Sequence, residues 1–160
     1  MNARRIQVLE DRFAIADLVN AYAQGVDRRD ARGVAALFAV DGVLFIGATP
    51  DGRPRAHIQG HDAIVKALVA GLSPYRATFH EITSHTVAFQ DDGEDGDAGD
   101  EATAQTGCVA HHITGPDGEE RDHIWFINYF DELVRDDRVW RFERRQLRVD
   151  LVADRPLMRD

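Results

Sequence analysis

The chain has 160 residues, 44 % hydrophobic and 29 % charged, with a net charge of −9 because 19 Lys and Arg face 28 Asp and Glu. That balance argues against nucleic acid and anionic membrane surfaces as partners. No run approaches the roughly 18 apolar residues that span a bilayer. The N-terminal stretch turns acidic too soon for a secretory leader, and the single cysteine, Cys108, excludes an internal disulfide and a cysteine-based zinc site. The expectation is one globular domain over residues 1–160 in a reducing cytoplasm.

In residues 6–26 the apolar positions Val8, Leu9, Phe13, Ile15, Leu18, Val19, Tyr22 and Val26 recur at offsets of three, four and seven, one face of an amphipathic helix. Gly25 weakens its last turn and puts Asp27 at or just past the end. Asp30 is a candidate N-cap for a second helix over residues 32–39, with Val34, Leu37 and Phe38 inward. Asp41-Gly42 reads as a turn and residues 43–46 as a strand. Pro50-Asp-Gly-Arg-Pro54 is a loop, followed by an extended piece at 56–59 and a third helix over 63–72 that Ser73-Pro74 ends. Residues 76–90, 101–114, 120–135 and 139–152 are long, rich in β-branched and aromatic residues, and separated by turns, which implies an antiparallel meander.

Three helices followed by a long sheet predict an α+β architecture, a cone of curled, mostly antiparallel sheet with the helices on its concave side. The mouth of such a cone is a natural small-molecule site. The acidic stretch 91–100 lacks the oxygen-ligand spacing of a calcium loop and reads as a hairpin tip.

Two residues stand out chemically. Asp27 lies where the apolar helix ends, and His80, in Thr78-Phe-His80-Glu-Ile-Thr-Ser-His85, lies in a β-rich segment. A fold that brings them together would let the carboxylate fix the imidazole tautomer and leave the ring free to take a proton from a substrate. His111, His112 and His123 fall on neighbouring strands, but adjacent strand residues point to opposite faces and no carboxylate completes a ligand set, so no metal is expected. His85 reads as packing beside its strand. One face of the third long strand carries Ile124, Phe126, Asn128 and Phe130; the other carries Trp125, Ile127, Tyr129 and Asp131. Both are largely apolar, so one should line the cone and the other meet a second subunit in a dimer or trimer. Asn128 is the candidate polar group in the pocket, with Phe126 and Phe38 as apolar contacts.

The runs Ala14-Ile-Ala-Asp-Leu-Val-Asn-Ala-Tyr22, Gly25-Val-Asp27, Val34-Ala-Ala-Leu-Phe38, Gly60-His-Asp-Ala-Ile64, Thr78-Phe-His80-Glu-Ile-Thr-Ser-His-Thr-Val87 and Val139-Trp140-Arg-Phe142, in this order over roughly residues 8–150, resemble SnoaL-like domains of the nuclear transport factor 2-like superfamily. The resemblance implies the cone fold and, by its dehydratase and dehydrochlorinase branch, a His–Asp dyad at His80 and Asp27 with Tyr22 as helper. It also implies a basic residue on the last strand, Arg148, with Arg145 as its rival. The implied activity is a lyase or isomerase without cofactor, acting on a hydrophobic cyclic metabolite. The same superfamily also serves as non-catalytic binding or oligomerisation modules, such as ring-hydroxylating dioxygenase β subunits.

Overall fold

The computed structural model describes residues 3–48, 54–91 and 98–158; most of the predicted 50–54 loop and the tip of the acidic stretch lie outside them. Helix α1 spans Ala3–Asp27 and α2 Ala31–Ala35, followed by β1 (Phe38–Ala48), β2 (Pro54–Gln59), α3 (His61–Leu72), β3 (Ala77–Asp91), β4 (Ala98–Thr114), β5 (Arg121–Asp136) and β6 (Val139–Pro156). One six-stranded sheet has the order β2-β1-β6-β5-β4-β3. The last four strands form the predicted meander, and β1 joins it by parallel pairing with β6.

Extra residues break the register within β3, β6 and β1, at points such as Ile82/Ser84, Phe126/Ile127 and Phe38/Val43. Each such irregularity bends its strand and increases the local twist, which is how an otherwise regular sheet curls.

The beginning of the chain differs from expectation in one place. The second helix ends at Ala35, and Phe38, expected inside it, already belongs to β1. Asp41-Gly42 is an irregularity within β1 rather than a turn before it. A Cβ at Gly42 would sit 2.9 Å from the Ala39 and Phe142 carbonyl oxygens, so only glycine lets β1 press this closely on β6. Gly25 has a similar reason: a Cβ there would meet the Val34 side chain at 2.6 Å, so glycine admits α2 against the end of α1.

On α1 the residues Ile15, Leu18, Val19, Tyr22 and Val26 are buried, whereas Leu9 and Phe13 share the periodicity but remain exposed. The helix lies across the concave face. There β4 offers the small side chains Ala102, Ala104, Thr106, Cys108 and Ala110, all buried, which give a helix room to approach. The helix is tied down near its start by Asp11, whose carboxylate accepts from Arg135 Nη1 at 2.9 Å and from Trp140 Nε1 at 2.8 Å.

Phe38 is fully buried, with its ring 5.2 Å from that of Phe142 and 6.3 Å from that of Tyr22. It is a core residue behind the cavity and does not line it. Phe38→Ala should therefore act on stability, by roughly 3–5 kcal/mol as for other buried Phe truncations. Urea unfolding at neutral pH measures this loss.

Candidate active site

The end of α1 brings the first candidate side chain into place. The Arg29 N–H donates to Val26 O at 3.1 Å and the Asp30 N–H to Gly25 O at 2.9 Å. This is the Schellman arrangement, with Arg29 at φ 62° in the left-handed position that glycine usually fills. Asp30 then caps α2 by accepting from the Gly33 N–H at 2.9 Å. The chain is thereby turned sharply after Asp27, and its carboxylate faces β3.

Both carboxylate oxygens of Asp27 are used on one residue. Oδ1 lies 2.7 Å from His80 Nδ1, and Oδ2 accepts the His80 backbone N–H at 2.9 Å. The carboxylate selects the tautomer that carries its proton on Nδ1, which leaves the Nε2 lone pair for the cavity. Burial pushes the Asp27 carboxyl up, but the hydrogen bonds from the His80 ring and backbone, the His80 charge and a bond from Thr78 outweigh it, so it lies below its ordinary value. Asp27 stays ionised.

The cavity beside His80 has a volume of about 130 Å³. Its walls are mostly apolar: Val26 from α1, Leu44 and Ile46 from β1, Leu68 and Leu72 from α3, and Trp125 and Ile127 from β5. Its polar groups are few. Tyr22 is buried, and burial raises its phenol, only partly countered by the charge of Arg145. It is thus a neutral hydrogen-bond donor. Tyr129 is raised further by burial and is likewise neutral.

His112, which also lines the cavity, has its Nδ1 3.2 Å from the His123 carbonyl oxygen. A carbonyl only accepts, so Nδ1 carries the proton and Nε2 is an acceptor. The ring lies 4.4 Å from Trp125, 4.6 Å from Tyr75 and 5.8 Å from His80, centroid to centroid. Burial holds it neutral down to a pKa of about 4. Its role was not legible as chemistry. The available signal was its place in β4, in step with the small inward residues Cys108 and Ala110.

Several expected contacts lie elsewhere. The cavity takes the Trp125, Ile127 and Tyr129 face of β5, so Phe126 and Asn128 are on the opposite side. Asn128 Nδ2 donates there to Asp150 at 2.6 Å, which supplies the partner its amide needs. Arg148 is on the same outer side, where its Nε donates to Asp150 at 2.7 Å and its guanidinium covers Phe130. The interior arginine is Arg145. It is fully buried, with its guanidinium carbon 4.0–4.4 Å from the ring centroids of Tyr129, Tyr22 and Phe142, and its Nε 3.6 Å from Asp131. It sits behind the tyrosines and does not line the cavity.

His85 binds the Thr106 hydroxyl oxygen through Nδ1 at 2.9 Å, and His111 pairs with Asp122 at 2.8 Å on the outer face. Among the described residues no group of three His, Cys, Asp or Glu is placed to hold a metal ion. A larger concavity of about 570 Å³ lies on the outer sheet face around Gln105, Phe130, Glu132, Arg144 and Gln146, and no histidine lines it.

A family model of the SnoaL-like domain matches residues 7–146, so the chain belongs to that family, within the nuclear transport factor 2-like fold. Among solved structures it is similar to a candidate scytalone dehydratase from Novosphingobium aromaticivorans, at 25 % identity and TM-score 0.73 over 94 % of this chain and 91 % of that one. A nuclear transport factor 2-like protein with a cystatin-like fold from the same organism gives 24 % and 0.72 over 92 % and 87 %. A type-3 hexachlorocyclohexane dehydrochlorinase from Novosphingobium barchaimii gives 19 % and 0.75 over 96 % and 94 %. No curated protein matches.

The neutral His112 makes stability depend on pH. The unfolded chain takes its proton near the ordinary value of 6.5, the folded chain only near about 4. Between those values the unfolded state binds more protons, so stability falls as pH falls, by at most on the order of 3 kcal/mol. His112→Phe should flatten this loss. Urea unfolding of both proteins at about pH 7 and about pH 4.5 reads it directly.

Proposed function

We propose that this protein is a lyase of the dehydratase type that needs no cofactor, with an apolar ring of its substrate held against His80. The observation that carries this reading is the imidazole bound through Nδ1 to an ionised Asp27, with Nε2 left toward a mostly apolar cavity. Helix stability does not explain Asp27. A carboxylate in the last turn of a helix is on the unfavourable side of the helix dipole.

In the proposed reaction His80 Nε2 takes a proton from a substrate carbon. The C–H electron pair becomes the new double bond as the bond to the leaving oxygen breaks, and the proton on His80 passes to that oxygen to give water. Tyr22 steadies the departing oxygen by a hydrogen bond; burial makes it a poor source of a full proton but a good donor. The neutral His112 offers a fixed acceptor for a second hydroxyl or N–H of the substrate. Excluding water strengthens each of these interactions. The names of two structural relatives, a scytalone dehydratase and a hexachlorocyclohexane dehydrochlorinase, denote eliminations, which supports the same class. Isomerisation and cyclisation would use the same base and differ in the fate of the carbanion.

The outer sheet face supports association with further copies, as a dimer or trimer. Phe79 is 57 %, Phe126 40 % and Leu151 67 % exposed, and the register sets Phe126 directly beside Leu151. Exposed clusters of this kind commonly mark subunit contacts. Light scattering at micromolar concentration should give a mass of two or three times 17.9 kDa; a stable monomer would contradict the assembly.

With hydroxylated cyclic compounds screened for release of a conjugated alkene, His80→Ala and Asp27→Asn should each lower kcat by about 10²–10⁴-fold, with the histidine loss at least as large. The double variant should lose little more than His80→Ala alone, because both act through one proton transfer. Wild-type turnover in His80→Ala, or losses that multiply, would favour a non-catalytic binding module.

A further inference from the structure

Beside the cavity lies a second space of about 310 Å³, and the two share Leu68, Leu72 and Tyr75 as walls. The cavity alone, at about 130 Å³, is below the range of roughly 300–1,000 Å³ typical of ligand sites. Together with the adjoining groove it falls within that range. The groove is lined by apolar side chains of α3, including Val69, and by one formal charge, the guanidinium of Arg29.

Arg29 is unusual in two ways. Its backbone is left-handed, at φ 62°, a conformation that residues other than glycine rarely adopt. Its side chain is held by neutral acceptors only. Nη1 donates to the Thr78 hydroxyl oxygen at 3.1 Å and to Val26 O at 3.5 Å, and Nη2 donates to Tyr75 O at 3.0 Å. Among the described residues no carboxylate pairs with it, in a chain where acidic residues outnumber basic ones 28 to 19. These bonds use three of its five N–H groups. Nε–H and one N–H of Nη2 are left as donors for an anion such as a carboxylate.

We propose that this groove is a subsite for a carboxylate-bearing tail on the apolar substrate, with Arg29 as its anion-binding group. The inference rests on the reading of the neighbouring cavity as the place of reaction, and it narrows the substrate to hydrophobic cyclic acids. The tail would lie along α3 while the ring reaches His80. Arg29 also touches the site of chemistry indirectly, because the Thr78 hydroxyl that accepts from it bonds to Asp27. Tail binding is thereby linked to the residue that orients the base.

The test uses 5-phenylpentanoate and its neutral amide, 5-phenylpentanamide, titrated into the full chain by calorimetry at neutral pH and low salt. The acid should bind at least about tenfold tighter than the amide. Arg29→Gln should erase that preference and leave amide binding within about twofold. Val69→Glu offers a second route that spares the backbone turn, since Val69 is 61 % exposed and the new charge would face the tail. It should weaken the acid alone. Equal affinity of wild type for the two probes, or an acid preference that survives both substitutions, overturns the subsite. His80→Ala should keep the acid preference while losing turnover. A preference without turnover would retain the subsite and discard the lyase, and turnover without a preference would do the reverse.

Discussion

Helix α1 is fixed across the concave sheet by two carboxylates, one toward its start and one at its end, and one wall of the cavity depends on that fixation. At one end Asp11 gathers Arg135 and the Trp140 indole; at the other Asp27 spends both oxygens on His80. Tyr22 and Val26, which wall the cavity, lie between these anchors. A helix free to slide by one residue would rotate its apolar stripe by about 100° and carry both out of register. The contact that orients the imidazole is therefore also part of what holds the pocket in shape.

Behind the tyrosines the structure accepts an expensive arrangement. Asp131 and Arg145 are fully buried cross-strand partners at 3.6 Å, and none of their side-chain nitrogens or oxygens forms a hydrogen bond among the described residues. Burial pushes the Asp131 carboxyl to about 6 although Arg145 pulls the other way. What offsets the desolvated guanidinium is its contact with three aromatic rings, each an electrostatic attraction that grows as water is removed. A buried pair of this kind is weak evidence for stability. Its visible effect is to place a positive charge against Tyr22 and Tyr129, on the side away from the cavity.

Much of this was legible in the chain. The periodicity of α1 located Asp27 at its last residue, and the turn residues separated the four long strands nearly where they occur. Parity along β5 divided its residues correctly into two faces, but could not rank them, because Phe126 and Phe130 are as apolar as Trp125 and Ile127. The choice depends on which face α1 covers. Arg148 and Arg145 were confusable for a related reason: extra residues in β6 shift its pairing with β5, and such irregularities leave no hydrophobic signature. The same holds for Asp41-Gly42, where turn-like residues serve a bulge inside β1. Arg29 escaped notice because a left-handed arginine looks in sequence like any surface charge.

Cys108 lies on the inward face of β4, buried to 2 % exposure, and burial raises its thiol to about 12. Alkylating reagents consume the thiolate, which this environment suppresses and also shields from collision. As the sole sulfhydryl in the chain, it gives the molecule an internal clock. The rate at which a thiol reagent marks the native protein counts the moments when the sheet and helix part, and a compound that occupies the interior would be seen to slow it.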